Sequence, residues 1–260
     1  MSTDQRYDRI GHGYAELRRE DPRIAARIRL ALGGAKSVLN VGAGAGSYEP
    51  TDCLVVAVEP SQVMVSQRAA SRTPVIRALA QALPLRDGCV DAAMSVLSIH
   101  HWAPHAEAGV REMRRVARGR VVIGTIDAEV SGEMWLMAEY LHEVAALDRR
   151  IFPPINVIRE WLGPHTEVVV VPVPADTTDW TLMSFWAHPE RVLDAGARAA
   201  TSGFARMTPE VVQRVVQAVR DDLRSGTWDE RHAELRRAKE LDVGLRLLVS
   251  RETRGSQDRH

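Results

Sequence analysis

The chain has 260 residues, 45% of them hydrophobic, and its 34 Lys and Arg balance 34 Asp and Glu, which suits one well-buried core and offers nucleic acid no positive field. Cys53 and Cys89 make neither a metal spacing nor a disulfide framework. With no charged-then-apolar leader and no apolar run near the roughly 20 residues that cross a bilayer, a soluble cytoplasmic protein is expected, without nucleic-acid or membrane partner.

Apolar residues at helical spacing (Ile10, Tyr14, Leu17, then Ile24, Ile28, Leu32) predict helix over 5–32, interrupted at Asp21-Pro22 and ended by Gly33-Gly34. Strands are predicted at 37–41, 54–58, 74–77, 91–97, 120–125, 167–173 and 245–250. Helices are predicted at 61–71, 105–117, 132–149 and 155–163. Alternating strands and helices imply an α/β fold with a doubly wound sheet, covered on both faces. The segment 174–243 is too long for a loop and shows helical stretches at 188–200 and 208–224, the second opened by Thr208-Pro209-Glu210. A turn from Gly226 leads to a last charged helix, 230–242, and 251–260 read as a frayed polar tail.

The chemistry is concentrated at the end of the first strand. Gly42, Gly44 and Gly46 alternate there, and the next apolar run, 54–58, ends on Glu59. Glycines at a strand's carboxyl end permit a tight turn and a close ligand approach. A carboxylate at the next strand tip can accept both ribose hydroxyl hydrogens. The pair predicts a nucleoside pocket. Ser47 stands where a dinucleotide fingerprint needs its third glycine, and Pro50 leaves little room for the helix that would bind a pyrophosphate.

The ordered series resembles the class I S-adenosylmethionine (SAM)-dependent methyltransferases, in the small-molecule, methyltransferase type 11-like branch. Val38 to Tyr48 and Glu59 resemble its motifs I and II. Leu83-Pro84-Leu85-Arg86-Asp87-Gly88 and Val90-Asp91-Ala92-Ala93-Met94-Ser95 resemble the stretch entering its fourth strand. Ser98-Ile99-His100-His101-Trp102 is similar to the loop after that strand, and Glu112 to Gly124 to the next helix and fifth strand. The resemblance covers roughly 5–127 well and thins to a general similarity over 128–260. It implies a Rossmann-like, seven-stranded sheet with the last strand antiparallel and helical cap insertions. The implied division is a helical lid over 1–36, a SAM-binding core over 37–127, an insertion over 128–165, and a core strand over 166–173. A substrate-binding cap over 174–243 and the last strand with its tail over 244–260 complete it. The implied cofactor is SAM, with S-adenosylhomocysteine as product, and the partner a small-molecule acceptor; a homodimer stays open.

The resemblance carries cofactor binding onto Asn40, Gly42, Ala43, Gly44, Gly46, Glu59, Pro60, Met64, Ala80, Gln81, Ser95 and Leu97, and onto Tyr14 and Arg18 of the lid. Two positions depart from the family: Asn40 replaces a frequent Asp, and Leu79 stands where many members carry Asp for the adenine amino group. Adenine recognition then falls to the Ala80 backbone or the Gln81 amide. Met64 has packing, and Gln81 a surface position, as alternatives. His100, His101 and Asp127 are the candidate catalytic groups; the adjacent histidines cannot form an i,i+4 metal pair, and no metal site is expected. Asp127 has a helix N-cap as its alternative. His101, Asp176, Asp179 and Trp180 are candidate acceptor contacts. Trp135, Met137, Tyr140, Phe152, Met183, Phe185 and Trp186 are apolar-wall candidates, but core of the cap helices accounts for most of them. The expected reaction is in-line methyl transfer to a small, partly apolar metabolite. A SAM-binding protein without methyl transfer and an NAD(P)-dependent Rossmann oxidoreductase are the rivals.

Overall fold

The computed structural model describes residues 19–69, 73 and 75–251. Within these the chain forms two compact units, one taking in 25–125, 153–169 and the chain from 246, the other 126–152, 170–245 and the residues up to 24. The lid candidates Tyr14 and Arg18 lie outside the described residues.

The first unit takes in α1 (Pro22–Ala31) from residue 25 on and is organised by a sheet. Its strands are β1 (Ser37–Val41), β2 (Leu54–Val58), β3 (Val75–Ile76), β4 (Ala92–Val96), β5 (Val121–Ile126), β6 (Thr166–Val170) and β9 (Leu245–Ser250). The spatial order is β3-β2-β1-β4-β5-β9-β6, and the last strand in the chain, β9, runs antiparallel. β1 pairs in parallel with β2 (Asn40 beside Ala57, Val41 beside Val58) and with β4 (Leu39 beside Ala93). Strands buried on both faces read as continuous apolar runs, and β4, β5 and β9 are buried almost throughout. Leu39, Val58, Ala93 and Ile123 meet Val110 and Met113 of α3 (Ala106–Val116), and Ile158 and Leu162 of α6 (Ile155–Leu162), in one core. The strand order reverses at β1, so the carboxyl ends of β1 and β4 flank the crevice where ligands bind in such sheets. α6 and β6 therefore belong with the sheet, and the insertion expected over 128–165 contributes only its first part to the other unit.

In the second unit the helix expected over 132–149 is broken. Asp127 caps α4 (Ala128–Gly132), one turn of π-helix follows (Leu136–Tyr140), and α5 runs His142–Ile151. The Leu141 N–H reaches back five residues to the Leu136 carbonyl (2.8 Å), the signature of a π turn. The strand expected over 167–173 also divides. Pro172 and Pro174 lack the N–H a ladder needs, and β7 (Val173–Pro174) pairs instead with β8 (Glu240–Leu241). β8 stands within the charged helix expected over 230–242; α10 (Thr227–His232) starts after Gly226, whose φ of 83° ends the long helix α9 (Pro209–Ser225). The stretch expected as helix 188–200 is a 3-10 turn, Pro189–Val192, then two short helices, α7 (Ala195–Ala199) and α8 (Ser202–Ala205). Trp135, Trp186 and Trp228 are buried at the centre, Trp135 edge-on to Trp228 and donating from Nε1 to the Trp186 carbonyl (3.0 Å). Met137, Tyr140, Met183 and Phe185 are buried too, so core packing accounts for most of the expected wall residues.

Candidate functional site

The glycine turn sits at the carboxyl end of β1. The Gly42 and Ala43 N–H groups both donate to the Val58 carbonyl (2.9 and 3.0 Å), and the Gly46 N–H to the Ala43 carbonyl (2.8 Å). All three glycines have φ in the left-handed region, at 68°, 52° and 95°. A Cβ on Gly42 would stand 1.9 Å from Ser98 Oγ, one on Gly44 3.3 Å from the Met64 methyl, and one on Gly46 3.0 Å from Arg68 Nη1. The side-chain space of each glycine is thus occupied by the protein itself. Glycine is required first by packing of the turn against the β4 loop and against α2 (Gln62–Ser66).

Glu59 ends β2 and is 7% exposed. Its Oε2 accepts the Gly44 N–H (2.8 Å) and its Oε1 the Ser61 N–H (2.9 Å). One carboxylate therefore joins the glycine turn to the start of α2, where the Ser61 hydroxyl caps the Met64 N–H. An ionised carboxylate only accepts, the chemistry that a ribose diol requires. Pro60 is exposed, and its carbonyl accepts from Arg77 Nη2 (3.0 Å).

A second buried charge stands behind the turn, and sequence reasoning missed it. Arg68 Nη2 donates to both Glu49 oxygens at 2.9 Å, with only 5% and 3% of the two side chains exposed. Arg68 also reaches the Gly44 carbonyl (3.3 Å) and the Thr73 carbonyl (3.3 Å). Asn40 Nδ2 donates to Glu49 Oε1 (3.1 Å). This explains the departure at position 40: an Asp there would set two carboxylates against each other. The available signal was a pair of isolated charges, Glu49 beside the glycine loop and Arg68 after the next strand, near a neutralised position.

The far wall comes from the β4 loop. Leu97 takes φ 52°, a left-handed conformation unusual for a side chain of its size, and its N–H donates to the Gly124 carbonyl (2.8 Å). Ser98 accepts from Trp102 Nε1 (3.2 Å), and the Trp102 ring lies where a Cβ on Gly109 would be, beside Ala80. Gly42, Ser98, Trp102, Gly109 and Ala80 thus form one packed chain from the glycine turn to the segment 79–81. Leu79, at the position departing from the family, is 53% exposed, and Gln81 is partly exposed. Ser95 is fully buried within β4. His100 and His101 share the 3-10 turn Ile99–His101, their rings 3.9 Å apart between centroids, anchored by the buried Ile99.

In the second unit Asp127 accepts the Glu129 N–H (3.2 Å) and caps α4. Arg23 holds the carboxylates of Asp21 (2.8 Å) and Asp176 (2.7 Å). Asp21 also accepts the Thr178 N–H (3.4 Å), tying residues 21–23 to 176–178. Burial raises the Asp21 carboxyl, but the Arg23 contacts outweigh it and hold it at about 2. Asp179 is buried, and the Trp180 ring lies 4.4 Å from the Arg191 guanidinium. Among the described residues no group of three His, Cys, Asp or Glu could hold a metal ion, and no helix is long and apolar enough to cross a membrane.

Residues 39–123 match the family model for a methyltransferase domain. A methyltransferase from Anabaena variabilis, assigned to an antibiotic biosynthesis pathway, is 30% identical with a TM-score of 0.82, over 90% of this chain and 99% of that one. YcgJ of Bacillus subtilis shares the fold at 15% identity and a TM-score of 0.50, over 88% and 96% of the two chains. A SAM-dependent methyltransferase from Thermotoga maritima, named as a possible histamine N-methyltransferase, is 20% identical with a TM-score of 0.49, over 67% and 84%. No curated protein matches the sequence.

Proposed function

The chain belongs to the class I SAM-dependent methyltransferases, and on that premise we propose that it transfers a methyl group from SAM to a small, partly apolar metabolite. The observation that carries the reading is the Glu59 carboxylate, fixed 2.8 Å from the Gly44 N–H at the switch point of the sheet. There it suits a nucleoside's ribose. Residues 47–53 hold turns and bends but no helix, so the pyrophosphate-binding helix end of a dinucleotide site has no counterpart. The pathway assigned to the Anabaena relative supports a small-molecule acceptor.

The sulfonium of SAM supplies an already activated methyl group, so the protein's part is alignment and exclusion of water, contributing on the order of 7–11 kcal/mol of barrier reduction. Asn40, the glycine turn, Glu59 and Met64 would hold the nucleoside and amino-acid moiety, and Leu79, Ala80 and Gln81 the adenine side. His100 or His101 takes a proton where the acceptor must lose one.

Calorimetric titration tests the reading. SAM and S-adenosylhomocysteine should bind in the micromolar range, about −8 kcal/mol, and NAD and NADP should not. Binding of NAD in place of SAM would overturn it. Binding with no turnover of labelled SAM across a metabolite panel would favour a SAM-binding protein that does not transfer methyl groups.

A further inference from the structure

Among the described residues of the second unit, one guanidinium has no counter-charge. Arg191 lies in the 3-10 turn Pro189–Val192 and is half-buried. Its Nη1 donates to the Ser184 carbonyl (2.6 Å), and its guanidinium stacks on the Trp180 ring, 4.4 Å from the centroid. Both partners are neutral, and among the described residues no carboxylate raises its basicity. The adjacent Glu190 is engaged elsewhere, by Arg236 at 2.8 Å. Arg198 makes an instructive contrast: it too donates to a carbonyl, that of Val192 (2.6 Å), but Asp194 supplies an opposite charge nearby. Burial pushes Arg191 down to about 10, which leaves it charged at neutral pH.

A desolvated cation with neutral partners costs the fold free energy that a charged partner would offset. A guanidinium carries five N–H groups in a planar fork, and the described residues use one of them. The surroundings are also rigid. Ser184 Oγ bonds the Thr181 carbonyl (2.7 Å), and Trp186 Nε1 the Val173 carbonyl (3.0 Å).

We propose that Arg191, backed by Trp180, is a binding site for the carboxylate of a small ligand. Trp180 covers one face of the guanidinium, so an anion approaches along its edge, where a carboxylate fits two parallel N–H donors. The single, partly desolvated charge matches a monoanion better than a dianionic phosphate. The proposal does not rest on methyl transfer: it stands on this unit's own residues.

The test uses the full chain with benzoate and its neutral isostere benzamide as probes, in calorimetric titrations run alongside S-adenosylhomocysteine. Wild-type protein should bind benzoate about ten- to a hundredfold tighter than benzamide, the range for hydrogen bonds to charged groups. Arg191→Met should erase that preference with an unchanged or raised melting temperature, because an apolar side chain of similar size removes an uncompensated charge. Arg191→Lys, which keeps the charge but not the fork, should retain part of it. Equal binding of the two probes by wild type, a preference surviving in Arg191→Met, or a melting temperature that falls in Arg191→Met would each overturn the proposal, the last by making Arg191 a structural strut. Failure of S-adenosylhomocysteine to bind would count against the methyltransferase reading alone.

Discussion

Asn40 shows how one atom exchange can matter inside a buried charge network. The family often carries Asp at this position, so Asn40→Asp looks like a return to the common residue. Here the amide donates to Glu49 (3.1 Å), and the carboxylate already faces Arg68. Asn40→Asp would replace a donor by a second anion in a site 2% exposed. We expect a loss of about 1–3 kcal/mol at pH 8, the cost of a buried polar group deprived of its partner, shrinking at pH 5 as one carboxyl takes up a proton. Thermal melts at the two pH values measure it, and equal stability of the two proteins at pH 8 would reject the hydrogen bond. The same neighbourhood shows what was legible in the sequence. Gly42, Gly44, Gly46 and Glu59 announce themselves because special backbone geometry and a strand-end acid have fixed spacings. Glu49 and Arg68 do not, since a pairing 19 residues apart follows no period.

At the scale of elements, α2 has five residues and none of them is buried. A helix that short has no stability of its own, so its position depends on Glu59, the Ser61 cap and Arg68. Arg68→Met removes the last of these and takes the guanidinium away from the buried Glu49 carboxylate. The expected cost is about 3–5 kcal/mol, as for other broken buried pairs, with weaker S-adenosylhomocysteine binding. Replacing both partners (Glu49→Met with Arg68→Met) should restore much of the melting temperature, because apolar pairs substitute well for buried ion pairs. It should not restore the affinity, because the link to the Gly44 carbonyl is still absent. Affinity that recovers together with stability would reduce the pair to packing. Elements were legible where one period ran through them, as in α3, α9 and β1. They were not where the chain changes hydrogen-bonding partner within an apolar run, as at the π turn before Leu141 and at the prolines around β7. No side-chain pattern marks the π turn, whereas Pro172 and Pro174 did mark the break around β7.

Across the molecule, two aspartates of the second unit, Asp21 buried and Asp148 half-buried, act on stability with opposite sign. Asp21, fully buried beside Arg23, titrates at about 2 when folded, below the range near 4 for an unfolded chain. Between these values the unfolded state binds more protons. The contribution of Asp21, about 2–3 kcal/mol, is complete above pH 4 and is lost as pH falls toward 2. Asp91, held at about 2 by Arg118 and Ser37 in the sheet unit, adds to the same trend. Asp148 on α5 is pushed up to about 6 by burial, with Arg206 only partly opposing the shift. Its folded state therefore binds more protons between pH 4 and 6, so stability falls as pH rises through that window and stays lower above it. Asp148→Asn removes that penalty while keeping the shape of the side chain. At pH 8 it should raise stability by up to about 3 kcal/mol, a rise in melting temperature of roughly 4–10 °C for a protein of this size. At pH 4, where the wild-type carboxyl is protonated in the folded state, the gain should vanish. Thermal melts of both proteins from pH 4 to 8 give the comparison. A gain of equal size at every pH would mean that the asparagine acts through packing, and that the carboxyl of Asp148 titrates in its ordinary range.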